Sequence, residues 1–229
     1  MSKTFSVREI KEGIKHDLGL DDIDESYVAT PKDYDLNTEL VSKKTKLAHD
    51  EIYNEYVETL NSTSAKLDAV DRSLAKSSSS ALRSLKQDEV YNRNAVYLHE
   101  LFFANISDVH SEVSYDSMAF MRLTRDFGTF DDWQWDLMGC GMANREGWVV
   151  TAYDVFLRRY MNFVIDGHDA GIPIGCIPIV VVDVWAHSYY RDYVNDKERY
   201  LKSMMMELNW NIIEARIDKA ELIAKVLER

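Results

Sequence analysis

The sharpest chemical feature of the sequence is an aspartate and a histidine four residues apart, Asp183 and His187 in DVWAHSYY, closing the most hydrophobic run, IPIVVVDVW. A carboxylate on such a strand loses its hydration, which is costly unless it is paired, hydrogen-bonded or bound to a cation. Carboxylate plus imidazole suits a borderline first-row ion such as iron or manganese. The two side chains converge if the chain turns from strand into helix between them. By itself a DxxxH pair is a weak signal, but two further histidines add to it. His49 lies on an apolar stripe with Ile52 and Tyr53, and His99 shares a helical face with Ala95, Leu98, Phe102 and Phe103. Taken singly, a histidine on an apolar face is more often a satisfied core residue than a ligand. Spacing alone does not bring the four together.

The elements that must position them are read from periodicity. Leu40, Leu47, Ile52, Tyr53, Tyr56, Val57 and Leu60 recur at helical spacing over 37–61. Leu67, Val70, Leu74, Leu82 and Leu85 continue more loosely over 62–87, interrupted by SSSS at 77–80, and predict the return arm of a helical hairpin. A third helix is expected over 88–105, another over 115–126, and an amphipathic one after the glycine turn in FGTFDDWQWDLM. Two β-like runs, GWVVTAYDVF and RYMNFVID, predict a hairpin over 147–156 and 159–166, and 177–185 supplies a third strand. Helical spacing resumes from Tyr189. The fold class is α+β: an N-terminal helical hairpin, then a C-terminal half with a small three-stranded antiparallel sheet flanked by helices. The expected divisions are a charged extension over 1–24, with a short helix ending near Gly19, a helical-hairpin domain over 25–108, and an α+β metal-site domain over 109–229.

The chain has 229 residues, 46% of them hydrophobic, and a formal net charge of −12. With no basic cluster, that charge argues against a nucleic-acid or anionic-membrane partner. The start, MSKTFSVREIKEGIKHD, lacks the apolar core of a secretory signal, so cytoplasm is the expected location. AGIPIGCIPIVVV is too short to span a bilayer. Cys140 and Cys176 show no metal or disulfide spacing and are expected to be buried thiols.

The run DVWAHSYYRDYVNDKERY, followed by Asn209 and Trp210, resembles the signature of the iron/manganese superoxide dismutases. FGTFDDW, Gly147 with Trp148, NRNAVYLHELFF around His99 and KTKLAH with YVETLN around His49 extend the resemblance over most of the chain from Tyr27. The resemblance implies one iron or manganese ion per chain held by His49, His99, Asp183 and His187. It implies His168 as the group that hydrogen-bonds metal-bound solvent, with Ala95 small to admit it, and Tyr56 and Tyr190 as gate or proton relay. Trp148 and Trp185 would wall the pocket, although ordinary core packing explains them equally well. The implied activity is disproportionation of superoxide to O2 and hydrogen peroxide, in a homodimer, with Lys197 as candidate guide for the anion.

Several positions depart from the family pattern. His49 to Tyr56 is one residue shorter than usual, and Tyr53 stands where the family has a second histidine. Ala186 replaces the glutamate that reaches across the dimer, Lys197 replaces an arginine, and Leu98 replaces an asparagine. These changes, with the extension before Tyr27, also fit a competing reading: a catalytically weak or inactive dismutase fold serving as a structural or interaction subunit of a larger particle.

Overall fold

The computed structural model describes residues 27–106 and 111–227. The expected helix ending near Gly19 lies outside the described residues. Helix α1 (Lys43–Ala69) starts at Ser42, whose hydroxyl accepts from the Thr45 amide at 3.3 Å. It runs well beyond the expected end at residue 61. Its buried stripe contains Thr63 and Ser64 as well as Leu60 and Leu67, small polar residues that an apolar count passes over. Leu47, expected on the inner stripe, is exposed, as is Leu74 in a short 3-10 turn (Arg72–Leu74) that follows. The serine run does not interrupt a helix. Its last member, Ser80, caps α2 (Ala81–Asn105) by accepting from the Arg83 amide, so the expected separate arms over 62–87 and 88–105 become the last turns of α1, a loop and one helix.

Helix α3 (Met118–Phe127) ends at Gly128, whose φ of 100° is open to glycine at little cost. Thr129 then caps α4 (Phe130–Ala143) through the Asp132 amide. The sheet consists of β1 (Gly147–Asp154), β2 (Arg159–Asp166) and β3 (Cys176–Asp183), all antiparallel in the order β2-β1-β3. The central strand β1 is buried almost throughout. Gly147 begins it where a side chain would collide, since an added Cβ would stand 2.0 Å from the Ile165 carbonyl oxygen. Asn144 donates to the carbonyls of Trp148 (3.1 Å) and Ile165 (2.9 Å), pinning this end of the sheet. That pin fixes the register in which Trp148 faces Asp183 on β3 and Ile165 on β2. Helices α5 (Ala186–Tyr193), α6 (Lys197–Met206) and α7 (Trp210–Val226) complete the α+β fold.

A single hydrophobic core joins α1, α2 and the sheet to α6 and α7. Arg216 of α7 clamps three elements together, donating to the carbonyls of Leu101 (2.9 Å) and Ile179 (2.9 Å) and to the Asn105 side chain. Asn105 in turn donates to the Val181 carbonyl at 2.7 Å. These bonds hold β3 against α2. Cys140 and Cys176, expected to be buried, are each half-buried and free.

Candidate metal centre

Four elements deliver the chemistry-bearing residues to one point. On α1, His49, Tyr53, Val57 and Leu60 are buried at spacings of four, four and three, one face of a helix. On α2, Ala95, His99, Phe102 and Phe103 do the same. Asp183 terminates β3, and α5 begins at Ala186, so the strand-to-helix turn that the DxxxH spacing required is present.

The geometry is centred on one oxygen. Asp183 Oδ2 lies 3.0 Å from His49 Nε2, 3.3 Å from His187 Nε2 and 3.9 Å from His99 Nε2. All four candidate ligand atoms fall within 4.8 Å of one another. Asp183 is 0% exposed, and its Oδ1 accepts from the Trp185 amide at 2.8 Å, which orients the carboxylate. His99, also fully buried, places Nδ1 2.7 Å from the Ala95 carbonyl. A carbonyl only accepts, so Nδ1 carries the proton and Nε2 presents a lone pair. That lone pair has no hydrogen-bond partner. A buried acceptor without a donor is expensive in a protein interior, and a cation between His99 and Asp183 is the partner its chemistry requires.

The electrostatics agree. Burial pushes the Asp183 carboxyl up, but the imidazoles of His187 and His49 outweigh it and hold the group well below the ordinary carboxylate range. Burial, then the nearby His49, drives His99 down to about 3, which keeps it neutral and able to ligate. Burial likewise lowers His49. For His187, burial acts downward but the Asp183 carboxylate prevails and raises it. Trp148 packs edge-on to His99 at 4.9 Å, and Trp185 stacks on His187 at 6.0 Å, so both tryptophans wall the cluster.

A family profile described as "Iron/manganese superoxide dismutases, C-terminal domain" matches residues 117–216. The chain is 31% identical to "Superoxide dismutase [Fe]" of Aquifex pyrophilus over 196 residues, covering 83% of this chain and 91% of that protein. It is 30% identical to "Superoxide dismutase [Mn] 2" of Halobacterium salinarum over 190 residues, covering 82% of this chain and 92% of the relative. The chain belongs to the iron/manganese superoxide dismutase family.

Within that family frame, the structure places the remaining expected residues unequally. His168, in the turn after β2, is fully buried and has both ring nitrogens engaged. Trp148 Nε1 donates to its Nδ1 at 3.0 Å, and its Nε2 lies 3.0 Å from the Tyr56 hydroxyl. An indole N–H only donates, so the His168 proton sits on Nε2 and is given to Tyr56. The short spacing from His49 to Tyr56 is therefore no obstacle. Seven residues are close to two full turns of a helix, which returns Tyr56 almost to the face of His49. Tyr53 is instead a core residue, donating to Glu100 at 3.1 Å and accepting from the Lys32 amide at 3.0 Å.

A cleft of about 340 Å³, lined in part by Tyr56, Glu55, Asn92, Trp185 and His187, opens the dismutase-family cluster to the surface. Tyr190 is 60% exposed and does not line it. Lys197 does not line it either, because its ammonium donates to the Asn144 carbonyl at 2.7 Å. Ala186 is exposed, while Leu98 is buried. One residue at the site escaped the sequence reading: Tyr91, whose ring lies 4.7 Å from His168 and 6.4 Å from Tyr56. A signal for it existed, since Tyr91, Ala95 and His99 follow one another at intervals of four on α2.

Proposed function

We propose that this chain is a superoxide dismutase, disproportionating superoxide to O2 and hydrogen peroxide at one iron or manganese ion held by His49, His99, Asp183 and His187. The observation that carries the reading is the unpartnered His99 Nε2, aimed with two other imidazole nitrogens at one Asp183 oxygen. A bound iron or manganese ion supplies a reversible one-electron couple, by which two superoxide anions and two protons become one O2 and one H2O2.

The chain's own residues bind, orient and exclude water. Trp148, Trp185, Phe102 and Phe103 pack against the histidines and keep the ligand set dry on the inner side. His168 gives its Nε2 proton to Tyr56, which leaves the Tyr56 O–H free to donate toward the cleft. Tyr56 is thus a proton-holding group that lines the cleft. Burial, then the adjacent Tyr91 phenol, pushes Tyr56 upward, so it keeps its proton at neutral pH. Tyr190 takes a different role in this proposal. Exposed on α5 with Ala186, and followed by the exposed Val194, it belongs to the surface that a homodimer of this family would cover. Among the described residues, no helix is long and apolar enough to cross a membrane.

Elemental analysis of the purified chain together with a superoxide-consumption assay, repeated on His187→Ala, tests the reading. Stoichiometric iron or manganese with rapid turnover, both lost in the variant, is the expected result. A folded wild-type chain that neither binds these ions nor turns over superoxide would refute it. The second reading, a structural subunit, draws on the exposed Ala186 in place of a cross-dimer carboxylate. Bound metal without turnover would favour it.

A further inference from the structure

His168 reaches the metal-centre side of the molecule from a turn of the sheet, and four aromatic rings surround it. Trp148 and Trp185 lie behind it at 5.8 and 5.2 Å, Tyr56 meets it edge-on at 4.9 Å, and Tyr91 meets it edge-on at 4.7 Å with an interplanar angle of 79°. Edge-to-face contacts at these separations are favourable and directional, so they fix the plane of a ring as well as its place. Three of the four rings were expected from the sequence, and Tyr91 was not.

Its position on α2 explains what it does. Ala95 is the small, fully buried residue one turn before His99, which leaves room for His168 to enter from the sheet. Tyr91 is the large residue one turn further out on the same stripe, and it covers the space that Ala95 leaves open. Its Cε2 also comes within 3.9 Å of where a side chain at Gly167 would begin, so the ring packs over the turn that carries His168. Hydrogen-bond polarity adds a second contribution. Protons run in one direction, from the Trp148 indole to His168 Nδ1 and from His168 Nε2 to Tyr56, so the Tyr56 O–H must point onward. The Tyr91 ring flanks that pair, 4.7 Å from the His168 ring and 6.4 Å from the Tyr56 ring, so holding His168 also holds its bond to Tyr56.

We propose that Tyr91 is a positioning residue of this site: its ring locks the His168 imidazole in the plane that reaches Tyr56. Its consequence for turnover rests on the dismutase reading above, but its structural half does not.

The test therefore has two arms. In the metal-free full-length protein, the ring N–H protons of His168 and Trp148 are followed by NMR in the wild type, Tyr91→Phe, Tyr91→Leu and Tyr91→Ala. Tyr91→Phe keeps the ring and should retain the protected His168 Nε2 proton. Tyr91→Leu, which keeps bulk without an aromatic edge, and Tyr91→Ala should speed its exchange with water about 10-fold or more. Wild-type exchange in both of the latter variants would overturn the locking role. In the metal-loaded protein, Tyr91→Leu should bind metal as the wild type does yet lose about 3- to 10-fold in kcat, the cost of a mobile His168 imidazole. An unchanged kcat and pH profile in that variant would overturn the consequence for turnover. Faster exchange in Tyr91→Leu, with no dismutase activity even in the metal-loaded wild type, would leave the locking intact and refute the dismutase reading instead.

Discussion

Strand β3 meets two buried charges, and the chain treats them oppositely. Near its middle, the guanidinium of Arg216 finds the Ile179 and Leu101 carbonyls and the Asn105 side chain, so its shielded donors have acceptors in place. Burial still lowers its pKa, to about 10, but the group stays charged at any physiological pH. At the strand's end, Asp183 faces three imidazoles with one oxygen, and one of those imidazoles points a lone pair at it with no proton between. A charge matched within the protein locks elements together. A charge left open to a cation, in a cluster that is dry on one side and reached by a cleft on the other, is a binding site.

That contrast is broken most severely at the open end. Asp183→Asn keeps the shape of the side chain and removes the negative charge that His49 and His187 face. Metal content should fall below about one ion per ten chains and superoxide turnover by at least ~100-fold, more than the loss typical of residues behind a ligand. Elemental analysis and a turnover assay on the same sample check both. At the matched end the outcome reverses. Arg216→Leu leaves the Ile179 carbonyl and the Asn105 side-chain oxygen without their donor, and should cost about 1–3 kcal/mol in urea unfolding. Metal stoichiometry in the folded fraction should stay at the wild-type value, because Arg216 touches none of the four candidate ligands.

The difference between the two ends also explains what was legible in the sequence. Strand β2 occupies the expected residues, 159 to 166, and β3 nearly so, because β-branched runs bounded by turns state their own limits. His49 and His99 could each be placed on an inward face by period, and Asp183 by the apolar run it closes. Their convergence could not, since it depends on β3 lying against α2 and on α5 lying against α1, pairings between residues as far apart in the chain as Asn105 and Val181, 76 positions, or further. The hairpin was misdivided because Thr63 and Ser64 continue the buried face of α1 without looking apolar, and because Ser80 begins a helix that the serine run seemed to break. Tyr91 went unread for a related reason: its partner His168 arrives from the sheet, 77 positions later. Nothing in the spacing around Lys197 reveals that its ammonium is tied to the Asn144 carbonyl.

His168 tests the contrast through pH. Burial first holds its imidazole down to about 4 in the folded protein, against 6.5 for the ordinary group. Below pH 6.5 the unfolded chain takes up a proton that the folded one refuses, so stability falls with falling pH until about pH 4, where both are protonated. The shift corresponds to no more than ~3 kcal/mol. In His168→Gln this component is absent. The metal-free variant should therefore lose less stability than the metal-free wild type between pH 6.5 and 4, with the two curves running parallel above pH 7. Urea midpoints across that range decide it, and parallel curves throughout would show that burial does not keep His168 neutral.

The smallest effect bears most directly on the open end. His99→Leu replaces a buried imidazole with an apolar side chain of similar reach, and the Ala95 carbonyl it releases remains within a helix. If His99 were an ordinary core residue, the change would lose a hydrogen bond and destabilise the fold. Because its Nε2 is a buried acceptor without a donor, the metal-free variant should instead be as stable as the metal-free wild type, or more stable by about 1 kcal/mol. Adding manganese or ferrous iron should then reverse the order. The wild type gains stability in proportion to metal occupancy, since binding to the folded state alone draws the unfolding equilibrium toward it, and the variant gains little. Thermal melts of the two proteins, with and without metal, would cross. If the metal-free variant melted well below the wild type, the imidazole would be serving the fold before the ion.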